Sequence, residues 1–179
     1  SFIIFAVLNK NLPMQLSEQE IIRREKLDAL RELGINPYPA DLFPVNHTSK
    51  QVNENFEEGK KVIVAGRLMS VRDQGKACFA ELQDSEGRIQ LYVNRDVLCE
   101  GDDKTLYNQV FKKLTDLGDF IGIEGELFTT QVGAKCIRVS GFTFLSKTLR
   151  PLPLPKVDED GKIHDAFNDA ELRYRMRYV

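Results

Sequence analysis

The chain has 179 residues, 42% hydrophobic and 29% charged, with a formal net charge of −2. Too much of it is apolar for an intrinsically disordered chain, and it has no broad basic field of the kind a general nucleic-acid coat requires, so any contact with nucleic acid must be local. Three cysteines with no C-x-x-C pair and only two histidines exclude a zinc framework and fit a reducing, cytoplasmic compartment.

The opening SFIIFAVL is apolar for about eight residues, against the roughly 20 that a membrane span requires, and no membrane partner is expected. It has no basic n-region of a signal peptide. Met14 reads as the native start, with residues 1–13 a disordered leader or upstream extension.

Ser17 to Leu33 reads as a helix. Ser17 and Glu20 form a capping-box pair, and Ile21, Ile22, Leu27, Leu30 and Leu33 make the apolar stripe. Gly34, Pro37 and Pro39 end it. Arg23, Arg24, Lys26 and Arg31 fall on or beside its polar face, balanced by five acidic residues. The segment 35–60 carries Pro37, Pro39 and Pro44 and reads as irregular.

Three strands then follow in close succession, over Val62–Asp73, Lys76–Asp84 and Arg88–Asn94. The turn Ser85-Glu86-Gly87 joins the second and third, with Gly87 suited to positive φ. In the second strand Cys78, Ala80 and Leu82 alternate toward one face while Phe79, Glu81 and Gln83 take the other. In the third, Ile89, Leu91 and Val93 oppose Arg88, Gln90 and Tyr92. Phe79, Gln90 and Tyr92 therefore share an outward surface, with Arg67, Arg72 and Lys76 near in sequence. An aromatic platform, an amide and several cations suit an unstacked nucleotide.

A helical stripe of Leu106, Val110, Leu114 and Leu117 follows in Lys104–Leu117. Strands over Asp119–Thr130 and Lys135–Ser146 come after it. Cys78 and Cys136 sit in apolar strand patterns and read as buried free thiols. His47 and His164 have no acid or nucleophile at useful spacing and read as surface residues. The order of three strands, one helix and two strands is that of a mainly β OB-fold, a five-stranded Greek-key barrel with its helix between strands three and four. Beyond Leu149, RPLPLP reads as a stiff linker. Val157–Asn168 reads as polar loop, and Asp169–Val179 as the start of a charged helix in a further domain.

With these residues in view, the chain resembles the N-terminal anticodon-binding part of the bacterial lysyl-tRNA synthetase family, class II. The matching stretches are RREKLDALRELGINPYP, VAGRLMSVRDQGKACFAELQDSEGRIQLYV, LGDFIGIEGEL, TLRPLP and AELRYRMRYV. The core stretch alone also suits aspartyl and asparaginyl relatives; the helix, linker and final segment favour lysyl.

The resemblance implies a division into residues 1–13 (leader), 14–60 (helix and connector), 61–148 (anticodon-binding barrel) and 149–179 (linker and start of a catalytic domain). It implies that the barrel binds the tRNA(Lys) anticodon loop, with Phe79 stacking on the central uridine, Gln90 bonding its edge and Arg72 contacting the same nucleotide. Arg67, Lys76 and Tyr92 are flanking candidates. No strand-five role is carried over, although Cys136 or Arg138 falls near a position that relatives use. The full-length protein is implied to be an ATP- and Mg2+-dependent, homodimeric, cytoplasmic lysine–tRNA ligase without a DNA partner. The present chain would bind tRNA and catalyse nothing. Two rivals predict different behaviour: a general single-strand-binding barrel would not favour uridine, and an oligomerisation barrel would dimerise without binding RNA.

Overall fold

A computed structural model describes residues 16–151, together with a backbone ladder at 156–157 and 163–164. Five strands, β1 (Lys61–Asp73), β2 (Ala77–Gln83), β3 (Arg88–Asn94), β4 (Phe120–Thr129) and β5 (Lys135–Ser146), close into a barrel in the order β1-β2-β3-β5-β4. All pairings are antiparallel except β3 with β5. Closure leaves the sheet no free edge, so one small core is covered on every side. Val62, Val64, Leu68, Cys78, Ala80, Leu82, Ile89, Leu91, Val93, Ile121, Ile123, Leu127, Ile137 and Val139 fill it.

Helix α1 (Glu18–Glu32) starts with the expected capping box, Ser17 and Glu20 exchanging both bonds. Its stripe packs Leu30 against Val110 and Phe144. Arg23 departs from expectation. It is buried, and its guanidinium donates to the carbonyls of Thr148 and Leu117 at 3.0 Å each. Those carbonyls lie outside any ladder and need donors, which draws the arginine inward and ties α1 to both ends of the β4–β5 unit.

The segment 35–60 is not wholly irregular. Helix α2 (Ser49–Glu54) forms there behind a second capping box, Thr48 with Gln51. It docks on the β2–β3 turn, where Ser49 N and Oγ both donate to the Asp84 carboxylate at 2.5 and 2.6 Å. The same carboxylate accepts from the amides of Glu86 and Gly87. Gly87 does not take positive φ. A Cβ there would lie 3.1 Å from Ser49 Oγ, so the glycine serves the close approach of α2 and not the turn conformation.

A four-residue helix, α3 (Arg95–Leu98), follows β3. The helix between β3 and β4 is shorter than its sequence stripe. It runs Leu106–Leu114 as α4, wound with π geometry. Thr115 closes it by donating from both N and Oγ1 to Val110 O, so Leu117 lies beyond the helix and is partly exposed. The segment serves two cores: Tyr107 and Phe111 enter the barrel, while Leu106, Val110 and Leu114 meet the α1 side. Tyr107 donates to Gly75 O in the β1–β2 turn. Helices α4 and α2 thus cover opposite ends of β2.

Two-residue strands β6 (Lys156–Val157) and β7 (Ile163–His164) pair antiparallel where loop was expected. The expected leader, most of the linker and the final helix lie outside the described residues.

Candidate nucleic-acid interface

The outer face of β1, β2, β3 and β5 gathers the functional side chains. A bulge at Met69 breaks the β1 register between Leu68 and Ser70. Before it, even-numbered residues enter the core; after it, the parity reverses. Arg67, opposite Gln83, and Arg72, opposite Phe79, therefore both point outward despite their odd spacing. Without the bulge Arg72 would face the barrel interior.

Across the face, Arg72 pairs in register with Phe79, Phe79 with Tyr92, and Tyr92 with Arg138. The Phe79 and Tyr92 ring centroids are 5.2 Å apart and tilted by 50°. Tyr92 also meets Phe128 edge-on at 5.5 Å, and its hydroxyl accepts from Asn94 Nδ2. Tyr92 is thus engaged on both sides and braces the platform. Phe79 and Gln90, with Ser70, Arg72, Ala80 and Glu81, line an open groove of about 360 Å³. Gln90 is exposed, Phe79 half-buried.

The charges leave Arg72 available. Its sequence neighbour Asp73 is occupied elsewhere, and Asp84 lies beyond Gln83 at the far end of β2. Asp73 points off the face, and its ion pair with Lys112 at 2.6 Å holds its carboxyl below the usual range, together with the Gly75 amide. Asp84 is bound to Ser49 and its own turn. Glu81 is taken by Arg88 at 3.0 Å. Arg72 makes no side-chain hydrogen bond or ion pair among the described residues.

The six sequence candidates do not all converge. Arg72, Phe79, Gln90 and Tyr92 do. Arg67 points outward but lies opposite Gln83, four residues from Phe79 along β2 and so roughly 13 Å away. It stacks on the Phe120 ring at 4.5 Å and donates to Gly118 O. Lys76 is exposed in the β1–β2 turn, off the sheet face.

Three residues went unassigned in the sequence. Phe128 stands outward in β4 among the inward Ile121, Ile123 and Leu127, the same alternation that marks Phe79. Arg138 lies 4.6 Å over the Phe128 ring and pairs with Glu126 at 2.7 Å. Cys136 is buried as expected, but on the outer side of β5 behind Gln90 and not in the barrel core. Among the described residues no group of three His, Cys, Asp or Glu could hold a metal ion. No described helix is long and apolar enough to cross a membrane.

A closed five-stranded barrel with an outward aromatic and amide on strands two and three and a cation beside them on strand one presents the kind of surface that OB-folds use for oligonucleotides. Residues 62–145 match the family model of the OB-fold nucleic acid binding domain of the tRNA anticodon type, and this barrel is such an anticodon-binding domain. Beyond the barrel, the chain matches lysine–tRNA ligases over nearly its whole length. It is 68% identical to that of Christiangramia forsetii over 170 residues, covering 95% of this chain and 30% of the relative. It is 52% identical to that of Porphyromonas gingivalis over 171 residues (93% and 29%) and 54% identical to that of Azobacteroides pseudotrichonymphae over 167 (92% and 33%). The chain thus spans about a third of the length of these curated relatives.

Proposed function

We propose that this chain reads the lysine anticodon of tRNA through the outer face of β1–β3. The observation that carries the reading is the row Arg72–Phe79–Tyr92 with Gln90 beside it on a face where nearby acids are already paired. Phe79, braced by Tyr92, stacks on the central uridine. Gln90 has both a donor and an acceptor and matches one edge of uracil. Arg72 supplies a planar cation to the same nucleotide or its phosphate. Arg67 and Lys76 serve flanking phosphates.

Within this reading, residues 61–148 are the RNA-binding domain, 14–60 its helix and connector, and 149–179 lead to a further domain. The whole protein attaches lysine to tRNA with ATP and Mg2+, acts in the cytoplasm and is a homodimer. Similarity to lysine–tRNA ligases along the chain supports lysine over the aspartyl and asparaginyl alternatives.

The test is binding of the 179-residue chain to a lysine anticodon stem-loop, carrying a central uridine or a central cytidine, at one salt concentration. Preference for uridine is expected. Phe79→Ala should weaken binding by about 1–3 kcal/mol, and Gln90→Ala should erase the preference. Equal binding of both loops, unaltered by these substitutions, would overturn the reading.

A further inference from the structure

Directly behind the exposed amide of Gln90 sits a buried thiol. Cys136 and Gln90 are register partners across the parallel β3–β5 pair. Because Ile137 and Val139 enter the core, Cys136 lies on the outer side of β5, where it is fully buried in register between Gln90 and Phe128. Its Sγ donates to Gln90 Oε1 at 3.1 Å, and this is the Gln90 side chain's one hydrogen bond among the described residues. Burial pushes the thiol up to about 11, so at neutral pH it keeps its proton and remains a donor.

We propose that Cys136 is a positioning residue that fixes the flip state of the Gln90 amide and thereby favours uracil over cytosine. The inference rests on the reading above that Gln90 meets the base. An amide oxygen has two lone pairs. One accepts from the thiol; the other is left for the ring N–H of uracil, while Nε2 donates to the adjacent uracil carbonyl. Cytosine presents a bare ring nitrogen beside an amine, which needs the amide reversed. Reversal forfeits the thiol's hydrogen bond, and the bias against cytosine follows. A serine here would keep the donor; an alanine would let the amide turn to suit either base.

The experiment measures the uridine-to-cytidine affinity ratio for stem-loops with the full chain and with Cys136→Ala, Cys136→Ser, Gln90→Ala and the Cys136→Ala/Gln90→Ala double variant. Thermal melting of each protein accompanies the binding. Cys136→Ala should lower the ratio roughly 2- to 10-fold, the worth of one net hydrogen bond. Cys136→Ser should retain the ratio, and Cys136→Ala should have no further effect on it once Gln90 is alanine. A ratio unchanged in Cys136→Ala, or lowered equally in Cys136→Ser, would overturn the inference while leaving the anticodon reading intact. No uridine preference in the unaltered chain would instead overturn that reading, and the inference with it. A ratio-independent check is the side-chain amide resonance of Gln90 in the free protein. It should shift and broaden in Cys136→Ala but not in Cys136→Ser; no change in Cys136→Ala would again count against the assigned role.

Discussion

Arg72 shows how much a single residue's role depends on where its neighbours' charges go. Asp73, its neighbour in sequence, could have neutralised it at the surface, where such pairs contribute little. Lys112 claims Asp73 instead, and Asp84 stands beyond Gln83 at the far end of β2, bound to Ser49, leaving a guanidinium beside an open aromatic face. Arg72→Ala should therefore weaken stem-loop binding for uridine and cytidine loops alike and reduce the salt slope of log K by about one contact's worth. A titration series across salt concentration checks both. An unchanged slope would place Arg72 away from the phosphates. The outward direction of Phe79 was legible from alternation alone, and that of Phe128 equally so. The exposure of Arg72 was not, because a one-residue bulge reverses parity without any glycine or proline to announce it.

At the level of elements, the site depends on how tightly β4 and β5 approach. Their register shifts between Glu124 and Gly125, and a Cβ at Gly125 would collide with the backbone carbonyl of Arg138. Backbone cannot rotate aside as a side chain can. Gly125→Ala should cost about 1–3 kcal/mol of stability, as other overpacked positions do, and should displace β5 where it carries Cys136 and Arg138. Urea denaturation measures the first effect; stem-loop affinity in the folded variant measures the second. Helix α2 illustrates the opposite situation. The prolines of the preceding stretch and its own polar residues read as loop, but Thr48 and Gln51 cap it and Asp84 receives it. A six-residue helix has no independent stability; docking on the turn supplies what its length cannot.

Across the whole molecule, a buried ionic cluster joins α1, the approach to β4 and the exit from β5. Lys147 is fully buried and donates to Asp116 at 2.5 Å, Asp119 at 2.8 Å and Leu114 O at 2.9 Å, while Lys26 of α1 reaches Asp116 at 2.5 Å. Removing Lys147 leaves the fully buried Asp119 without its cation. Lys147→Ala should cost roughly 3–5 kcal/mol, read from the denaturant midpoint. Acid should act on the same cluster. Burial alone would raise the Asp116 carboxyl, but its bonds to Lys147 and Lys26 outweigh this and hold it below the ordinary 3.8. Asp84 is likewise lowered, its Ser49 and turn bonds overcoming burial. A carboxyl depressed in the folded state contributes stability that is complete above its unfolded pKa and is lost as pH falls through the folded one. Denaturant midpoints should therefore hold steady above about pH 5 and decline below about pH 4. A midpoint indifferent to that descent would show that neither carboxylate holds its site in solution.

The sequence by itself determined the barrel, the caps of α1, the inward and outward sets of β2 and β3, and the likeness to anticodon-binding chains. The first three follow from local rules: alternation with period two, the hydrogen-bond needs of helix ends, and turns between apolar runs; the likeness rests instead on matching stretches of sequence. Only the tertiary structure decided that Arg72 faces outward, that Arg67 stands apart, that Arg23 is buried, that α4 stops before Leu117, and that Cys136 lies behind Gln90 and not in the core. All but the end of α4, which Thr115 sets locally on Val110 O, depend on a register shift or on a partner distant along the chain, from the Met69 bulge to the carbonyls of Leu117 and Thr148. Alternation places a side chain on one of two faces; what lies against that face is settled only when the barrel closes.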